Sequence, residues 1–373
     1  MKNNKILIMN IDKLMSKLNW TSFVKERFKK LLIQYEYCRN NKILHYPVDL
    51  ENLDLKKYYL SFIGFMDGDG SIKSGKRVGH IKGIYRFAPN FTLKIHEVDK
   101  PYLELIIKVF DLSNKSIYVD KNGAYITISK QKDIKLVMDI IDNNQEFLTQ
   151  KKARDYLLFK KLLLYINKTQ LITHNTIWVE KGLEIIKDLN TYNNLPSDEE
   201  TLNNIKKYLS WDYILGFIEA EGSVILHYNT KKNYIFNSFE ITQNKANNLI
   251  LWGILDFIKE YNNPLIIKEN VEIQTKGVVE DKSKSRKQTL SRLTLTNNDV
   301  LFNKIIPLML SSDLYSKMQI NLIYWIFGVI ICKELRSSEE CVNLYLKIKE
   351  VINSNSTNLL DLNEILIILN KYL

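Results

Sequence analysis

The sequence FIGFMDGDGSI, at residues 62–72, returns in altered form as LGFIEAEGSVI at residues 215–225. The matched positions lie 152 residues apart and are Gly64 with Gly216, Phe65 with Phe217, Asp67 with Glu219, Asp69 with Glu221, Gly70 with Gly222 and Ser71 with Ser223. A single acid–glycine stretch of this kind is explained by an ordinary turn. A second copy in the same context indicates that the chain contains an internal repeat.

A weaker repeat follows each copy and supports the duplication. Residues 148–166 resemble residues 314–332, with Lys151 aligned to Lys317 and Phe159 to Trp325, an offset of 166. Because 166 − 152 is 14, the second copy has about fourteen additional residues, which fit best in the polar stretch 268–288. The repeat therefore predicts two similar halves that differ by an insertion.

The composition is that of a folded protein with an anionic partner. The chain has 373 residues, 45% hydrophobic and 25% charged, and a formal net charge of +11. This length predicts two domains, and the basic excess favours nucleic acid or an anionic membrane as the partner. The longest apolar run, residues 322–332, is about half the roughly 20 residues that a bilayer requires, so we expect a buried helix and no membrane.

The periodicities predict an α+β fold with two four-stranded antiparallel sheets. We predict a basic helical N-terminal arm at 1–56, a first half at 57–189, a linker at 190–207 and a second half at 208–373. Strands are predicted near 71–78, 85–96, 116–129, 223–229, 234–242, 265–275 and 289–296. Residues 1–45 carry ten basic and three acidic side chains, and a helical pattern there puts Phe23, Phe28, Leu31 and Leu32 on one face. We favour docking of this helix on the body over direct contact with nucleic acid.

Each motif helix has a stripe of small residues through which two such helices can approach closely. The stripes are formed by Gly64 with Gly68 and by Gly216 with Ala220, four residues apart in each helix. A pair of these helices would place Asp69 and Glu221 side by side at their C-terminal ends. Two carboxylates there meet each other and the negative end of the helix dipole, so we predict a divalent cation between them.

Mg²⁺ bound by two carboxylates would complete its ligand shell with water and phosphate oxygens, an arrangement suited to phosphodiester hydrolysis. A calcium loop that begins at Asp67 is the alternative for DGDG. That loop would need a carboxylate at its twelfth position, where the chain has Val78. The calcium loop is therefore excluded.

The two motifs resemble those of a single-chain LAGLIDADG homing endonuclease, and the resemblance extends from about Lys57 to the C-terminus. It implies two pseudo-symmetric αββαββα halves packed through the motif helices, with each sheet forming half of a saddle for double-stranded DNA. It also implies that Asp69 and Glu221 are the catalytic, metal-binding residues, with Mg²⁺ as cofactor and Mn²⁺ or Ca²⁺ able to occupy the site. Asp67 and Glu219 would be structural.

Polar side chains on the predicted sheets are candidates for reading the major groove of DNA. The candidates are Lys73, Arg77, Arg86, Lys94, His227, Lys232, Lys268, Gln274, Arg286, Lys287 and Arg292. Six basic and two acidic residues lie in 276–292, and a solvated hairpin explains this charge about as well as contact with DNA does.

Four positions depart from the family pattern. Thr92 and Glu240 stand where relatives often have glutamine, and Thr127 and Thr294 stand where a lysine near the hydrolytic water is expected. We still predict a monomeric, site-specific double-strand DNA endonuclease that promotes intron mobility in a mitochondrial genome. The alternatives are an RNA maturase of the same fold, which binds its host intron RNA and cleaves DNA weakly or not at all, and a catalytically silent DNA-binding protein.

Overall fold

The computed structural model describes residues 2–78, 85–114, 116–121, 123–169, 176–269, 271–273, 278–281, 289–336, 338–354 and 358–373. The chain begins with two helices, α1 (Lys2–Lys17) and α2 (Ser22–Asn41). Helix α2 starts at Thr21, whose side chain accepts a hydrogen bond from the backbone N–H of Val24. Its buried side chains include Phe28, Leu31 and Leu32, whereas Phe23, which was predicted on the same face, is exposed.

The first half consists of a motif helix, a four-stranded sheet with a separate two-stranded ribbon, and packing helices. Its elements are α3 (Leu55–Gly68), β1 (Gly70–Lys73), β2 (Lys76–Val78), β3 (Tyr85–Phe87), β4 (Asn90–Ile95), α4 (Lys100–Val109), β5 (Tyr118–Asp120), β6 (Gly123–Ile128), α5 (Gln131–Asn144), α6 (Gln150–Lys168) and α7 (Thr176–Ile185). A further helix, α8 (Asp198–Tyr208), connects this half to the second.

The second half repeats this order. Its elements are α9 (Trp211–Glu221), β7 (Gly222–Asn229), β8 (Tyr234–Asn244), α10 (Asn248–Glu260), β9 (Val278–Asp281), β10 (Leu290–Leu295), α11 (Asn298–Val300), a π-helical turn (Leu301–Ile305), α12 (Ile306–Leu310), α13 (Met318–Glu334), α14 (Glu339–Ser354) and α15 (Leu362–Tyr372). A short 3₁₀ turn precedes α4 at Glu97–Asp99 and precedes α10 at Lys245–Asn247.

The two four-stranded sheets have equivalent topologies. The strand orders are β1-β4-β6-β5 and β7-β8-β10-β9, with antiparallel pairing throughout both sheets. In each sheet, alternate residues are buried against helices, and we call the opposite side the outer face. The predicted fold class is confirmed: two antiparallel four-stranded sheets in pseudo-symmetric halves.

The motif helices α3 and α9 pack directly against each other at the centre of the molecule. A side-chain Cβ at Gly64 would lie 2.0 Å from the carbonyl oxygen of Tyr213, and one at Gly216 would lie 1.8 Å from that of Ser61. Neither contact leaves room for any side chain, so each glycine is required by the close approach of the partner backbone. The predicted packing of the two halves through their motif helices is confirmed.

Three predicted elements differ in the structure. The predicted strands 71–78 and 85–96 each break in two, and β2 and β3 pair only with each other. Residues 265–269 and 271–273, predicted as strand, form turns and coil, and the edge strand is β9 instead. The predicted linker, residues 190–207, contains most of α8, which Ser197 caps and which buries Thr201 and Ile205.

The N-terminal helices dock on the second half. The indole Nε1–H of Trp20 donates to the carbonyl oxygen of Phe302 at 3.0 Å, and the hydroxyls of Tyr35 and Tyr324 lie 2.7 Å apart. Helix α1 packs against α15 at the other end of the chain. In the described part of the chain, no helix is long and apolar enough to cross a membrane.

Candidate active site

The C-terminal ends of the motif helices bring the two predicted catalytic acids together. Asp69 follows α3 directly, and Glu221 is the last residue of α9. A Cβ at Gly68 would lie 2.5 Å from Cβ of Ala220 and 2.9 Å from Cγ of Glu221, so the helix ends are in contact there. The first strand of each sheet begins at the next residue, which places both acids at the junction of the two sheets.

Asp69 is exposed at the surface and Glu221 is half-buried, yet the protein atoms packed around both carboxyls displace water that would solvate their charged forms. This desolvation raises the pKa of Asp69 to about 6 and the pKa of Glu221 to about 7. The negative charge of Asp69 adds to the effect on Glu221, while the nearby Lys152 lowers the pKa of both acids. Such a pair of carboxylates favours an added cation, because a positive charge would offset both the desolvation of the charged forms and their mutual repulsion.

The donor set at this junction fits a hard divalent cation. Among the described residues, no cluster of three or more His, Cys, Asp or Glu side chains could hold a metal ion. The site thus offers the two carboxylates of Asp69 and Glu221, and it leaves the remaining ligand positions to backbone carbonyls, water and substrate oxygens. This is the partial protein shell that Mg²⁺ has in phosphate-handling sites.

The other acid of each motif binds backbone N–H groups instead. The Asp67 carboxylate accepts from the backbone N–H of Leu148 at 2.7 Å and of Thr149 at 3.0 Å, and from the hydroxyl of Tyr213. Oε1 of Glu219 accepts from the backbone N–H of Tyr315 at 2.7 Å and of Ser316 at 2.6 Å. Each acid therefore joins its motif helix to the segment that starts the closing helix, a structural role.

Lys152, a residue that sequence reasoning missed, lies beside the acid pair. It extends from α6, is buried, and its ammonium donates a hydrogen bond to the carbonyl oxygen of Gly70. Burial lowers the pKa of Lys152 to about 8, against the attraction of Asp67, Asp155 and Asp69. The repeat shows Lys152 as a difference between the halves. When Lys151 is aligned with Lys317, Lys152 stands opposite the apolar Met318.

An open cleft of about 500 Å³ leads to this group of residues. Its lining includes Lys152, Glu221 and Gln243 beside Thr242 and Asn244. Because Thr242 and Asn244 belong to the outer face of β8, the cleft connects Glu221 with the outer face of the second sheet. A substrate lying along that face can therefore reach Glu221.

The predicted DNA contacts of the first half divide between the sheet and the ribbon. Lys73 is exposed at the end of β1, and Lys94 is on the outer face of β4, where its Nζ lies 3.0 and 2.9 Å from the carboxylate oxygens of Asp120. Arg77 and Arg86 are exposed and face each other across the β2–β3 ribbon, so they do not lie on the four-stranded sheet. The ribbon extends the basic surface beyond the sheet.

In the second half, two predicted contacts lie on the sheet. His227 stacks on Phe236 with ring centroids 4.4 Å apart, and its Nε2 lies 2.8 Å from the hydroxyl of Ser238. On β10, Nη1 of Arg292 lies 3.4 Å from the carboxylate of Glu240. These outer-face side chains are held in place by one another.

Two of the remaining predicted contacts are described by the structure, and both lie off the second sheet. Lys232 is exposed in the turn between β7 and β8. Lys268 lies in a loop and not on the predicted strand, and its ammonium donates a hydrogen bond to Oδ1 of Asn19. Gln274, Arg286 and Lys287 lie outside the described residues.

The four positions that depart from the family pattern form two equivalent pairs on the outer faces. Thr92 pairs with Thr127 between β4 and β6, and Glu240 pairs with Thr294 between β8 and β10. Ser71 and Ser223, two residues after Asp69 and Glu221, complete the two rows. The lysine near the acids therefore comes from helix α6, as Lys152, and not from these strands.

The fold and the site together define a class of protein. It is a duplicated α+β protein with two acids paired at the ends of its central helices. A family model described as LAGLIDADG endonuclease matches residues 62–163. Among solved structures, the LAGLIDADG homing endonuclease I-GzeII in complex with its DNA target has a TM-score of 0.62 and 20% identity, covering 80% of this chain and 98% of that chain. I-SmaMI, bound to an uncleaved DNA target in the presence of calcium ions, has a TM-score of 0.60 and 19% identity, covering 79% of this chain and 98% of that chain.

Two curated fungal proteins are also similar. The uncharacterized mitochondrial protein RF1 of Saccharomyces cerevisiae is 25% identical over 332 residues, which is 86% of this chain and 66% of that protein. The probable intron-encoded endonuclease Cox1-I1b of Schizosaccharomyces pombe is 32% identical over 189 residues, 49% of this chain and 44% of that protein. The chain thus spans less than two thirds of the length of either relative. The chain has the fold of the LAGLIDADG homing endonucleases, and it contains two copies of the motif.

Proposed function

We propose that this protein is a metal-dependent, site-specific endonuclease of double-stranded DNA. The observation that carries the proposal is the pair of adjacent acids, Asp69 and Glu221, at touching helix ends between two sheets, where the surrounding protein raises the pKa of both carboxyls. Their carboxylates would hold a divalent cation, which we take to be Mg²⁺. When bound, this cation would supply an activated water and stabilise the leaving oxygen of a phosphodiester.

The outer faces and the ribbon would bind the duplex on either side of the acids. Arg77 and Arg86 are directly opposite each other, and such a like-charged pair is unfavourable until an anion neutralises it. Phosphate groups of DNA would relieve this repulsion and position the duplex. Because the two halves carry different side chains, a single monomeric chain would recognise a long, asymmetric target.

The biological role that we infer is promotion of intron mobility in mitochondria. The support is similarity to a mitochondrial protein and to a probable intron-encoded endonuclease in two yeasts. An RNA maturase of the same fold is the alternative. It would keep the basic surfaces and lose the dependence on the two acids.

A randomised duplex-DNA library, incubated with the protein in Mg²⁺ or in EDTA and sequenced at the cut ends, tests the proposal. We expect cut ends that recur at one long sequence in Mg²⁺ and disappear in EDTA. Asp69→Asn and Glu221→Gln should each abolish these ends while retaining DNA binding, because they remove a cation ligand and keep the shape. Glu184→Gln, which changes an exposed glutamate, is the matched control and should cut normally.

Full cutting by either active-site variant would contradict the assignment of the acids. Binding of DNA by the wild type without any cutting would contradict the endonuclease. The same protein would then be tested for binding to, and splicing of, structured intron RNA.

A further inference from the structure

Two stacked tyrosine rings lie on the outer face of the first sheet, in a row that runs to the edge of that sheet. Tyr125 on β6 is the cross-strand partner of Tyr118 on β5, and their ring centroids lie 5.4 Å apart with an angle of 24° between the ring planes. From β4, which pairs with the other side of β6, Nζ of Lys94 lies 5.5 Å from the Tyr125 centroid. The row therefore crosses three neighbouring strands, from a cation to two rings.

The row ends in an open ring. The strand order is β1-β4-β6-β5, so β5 is the edge strand, and the side of the Tyr118 ring away from Tyr125 lies beyond the last strand. Tyr118 is 48% exposed, and in the described part of the chain its ring stacks on Tyr125 alone. Neighbouring strands are about 4.8 Å apart, close to the spacing of stacked rings. A flat group placed against Tyr118 would therefore continue the row.

The second half does not repeat this row, so the duplicated fold does not require it. Two residues before the equivalent threonines of β6 and β10 stand Tyr125 and Arg292. The cross-strand partner of Arg292 on the edge strand β9 is Val279, which is thus the counterpart of Tyr118. A stacked cross-strand pair stabilises a sheet slightly, yet the second sheet has the same strand order with an arginine and a valine. The tyrosine stack is an addition of the first half.

An unpaired nucleic-acid base is the flat group that fits this open ring. Unpaired bases stack on exposed aromatic side chains, whereas a duplex presents base edges and phosphates to a protein. The site also has a positive charge for a phosphate next to such a base, because Lys121 is exposed in the turn that follows β5. The net charge of +11 favours the same anionic ligand over an aromatic side chain of another protein.

We propose that the Tyr118 ring is a stacking platform for an unpaired base, through which the protein binds single-stranded DNA at the outer edge of the first sheet. This edge is three strands away from β1, the strand that follows Asp69, so the site is separate from the acids and needs no cation. The inference goes beyond the proposed endonuclease. It rests on that function only in the choice of DNA over RNA, because the row shares its face with the surface proposed for the duplex.

Fluorescence anisotropy of a labelled oligothymidylate, measured with the full-length protein in EDTA, tests the proposal without cleavage. Tyr118→Leu removes the flat ring and keeps an apolar side chain, so we expect it to weaken binding about ten-fold or more. Tyr118→Phe keeps the ring and should bind like the wild type. Tyr208→Leu, which changes an exposed tyrosine at the end of α8, is the matched control and should also bind like the wild type.

An oligonucleotide with abasic sugars in place of its nucleosides separates stacking from charge. It keeps the phosphates, so the wild type and Tyr118→Leu should bind it with the same, weaker affinity. A duplex of the same length should bind equally well to both proteins, because its bases are stacked on each other. Oligouridylate, as the RNA counterpart, tests the choice of DNA.

Equal affinity of the wild type and Tyr118→Leu for oligothymidylate would overturn the proposal, as would wild-type binding to the abasic strand as tight as to oligothymidylate. An equal loss of affinity for the duplex would assign Tyr118 to duplex binding and would also overturn it. Binding of oligouridylate alone, dependent on Tyr118, would overturn the choice of DNA. Urea midpoints verify that the variants fold, and if Tyr118→Leu does not, the abasic strand and the wild type still decide. A wild type that cuts no duplex in Mg²⁺ would contradict the endonuclease and leave these binding results unaffected.

Discussion

Glu219 is a half-buried acid whose carboxylate binds backbone N–H groups and so contributes to the fold. Its Oε1 accepts two backbone N–H groups, while Oε2 is buried without a hydrogen-bond partner among the described residues. Burial is the main cause that raises the pKa of Glu219 to about 7, against the opposing effect of those hydrogen bonds. The folded protein therefore binds a proton at this carboxyl more readily than the unfolded chain does.

Glu219→Gln should change the pH dependence of stability. A raised pKa in the folded state means that the stability contribution is fully present below the unfolded value, near 4.5, and is lost as the pH rises through about 7. Relative to wild type, the variant should therefore gain unfolding free energy between pH 5 and pH 8, by on the order of 3 kcal/mol at most. Urea unfolding at the two pH values measures this, with Glu184→Gln as control. If the unfolding free energy of the variant depends on pH as that of the wild type does, Glu219 is not the source of this pH dependence.

At the helix pair, stability depends on two glycines that have no substitute. A Cβ at Gly216 would overlap the backbone of Ser61, and relief would require α3 and α9 to separate. Gly216→Ala should therefore lower the free energy of unfolding by about 2–3 kcal/mol or more. Gly75→Ala is the matched control, because a Cβ at Gly75 would meet nothing within 4 Å. The free energy of unfolding of Gly75→Ala should stay within about 0.5 kcal/mol of wild type. Equal urea midpoints for the two variants would contradict the close approach of α3 and α9.

The elements that the sequence predicts well are those that the repeat duplicates. The α3–α9 pair and the order of strands appear twice, so each copy supports the other. The strand expected at 265–275 had no such support. Ile266, Ile267 and Ile273 are buried as a strand's apolar residues would be, yet the backbone N–H groups of Ile266 and Ile267 both donate to the carbonyl oxygen of Asn263 in a turn. Burial of apolar side chains does not distinguish a coil that covers the core from a strand.

The acids of the site were predictable from their spacing, whereas the repeat marks Lys152 only as a difference between the halves and does not place it near the acids. A lysine within an amphipathic helix is usually solvated, and only tertiary packing shows that this one is buried and directed at Gly70. The β2–β3 ribbon was missed for a related reason. Its two strands pair only with each other, from Lys76 with Phe87 to Val78 with Tyr85, and alternation of side chains does not reveal which partner a strand pairs with.

Over the whole molecule, part of the excess positive charge is used for docking the N-terminal helices. Arg27 pairs with Asp313 at 2.6 Å and Arg39 with Asp361 at 2.8 Å, both across to the second half. These pairs are partly exposed, and such surface pairs contribute little stability individually. They do orient α2 on the body, and they reduce the charge that this arm can offer to nucleic acid.

Burial of aromatic side chains should supply most of the docking energy. Trp20 is 3% exposed, and its ring centroid lies 5.0 Å from that of Phe302 and 5.7 Å from that of Phe28. Trp20→Ala should therefore lower the free energy of unfolding by about 3–5 kcal/mol, through lost burial and the cavity that remains. Phe23→Ala is the matched control from the start of α2, because Phe23 is 42% exposed, and it should have little effect.

Urea unfolding, followed by circular dichroism, measures the stability of both arm variants. DNA affinity under native conditions then distinguishes docking of the arm on the second half from direct binding of nucleic acid. If docking is its role, Trp20→Ala should shift the urea midpoint in one transition that includes the second half, since α2 and α13 share a core. DNA affinity at a temperature where the variant is folded should then remain near wild type. An arm that binds nucleic acid directly would give the opposite pattern, a loss of affinity with an unchanged midpoint.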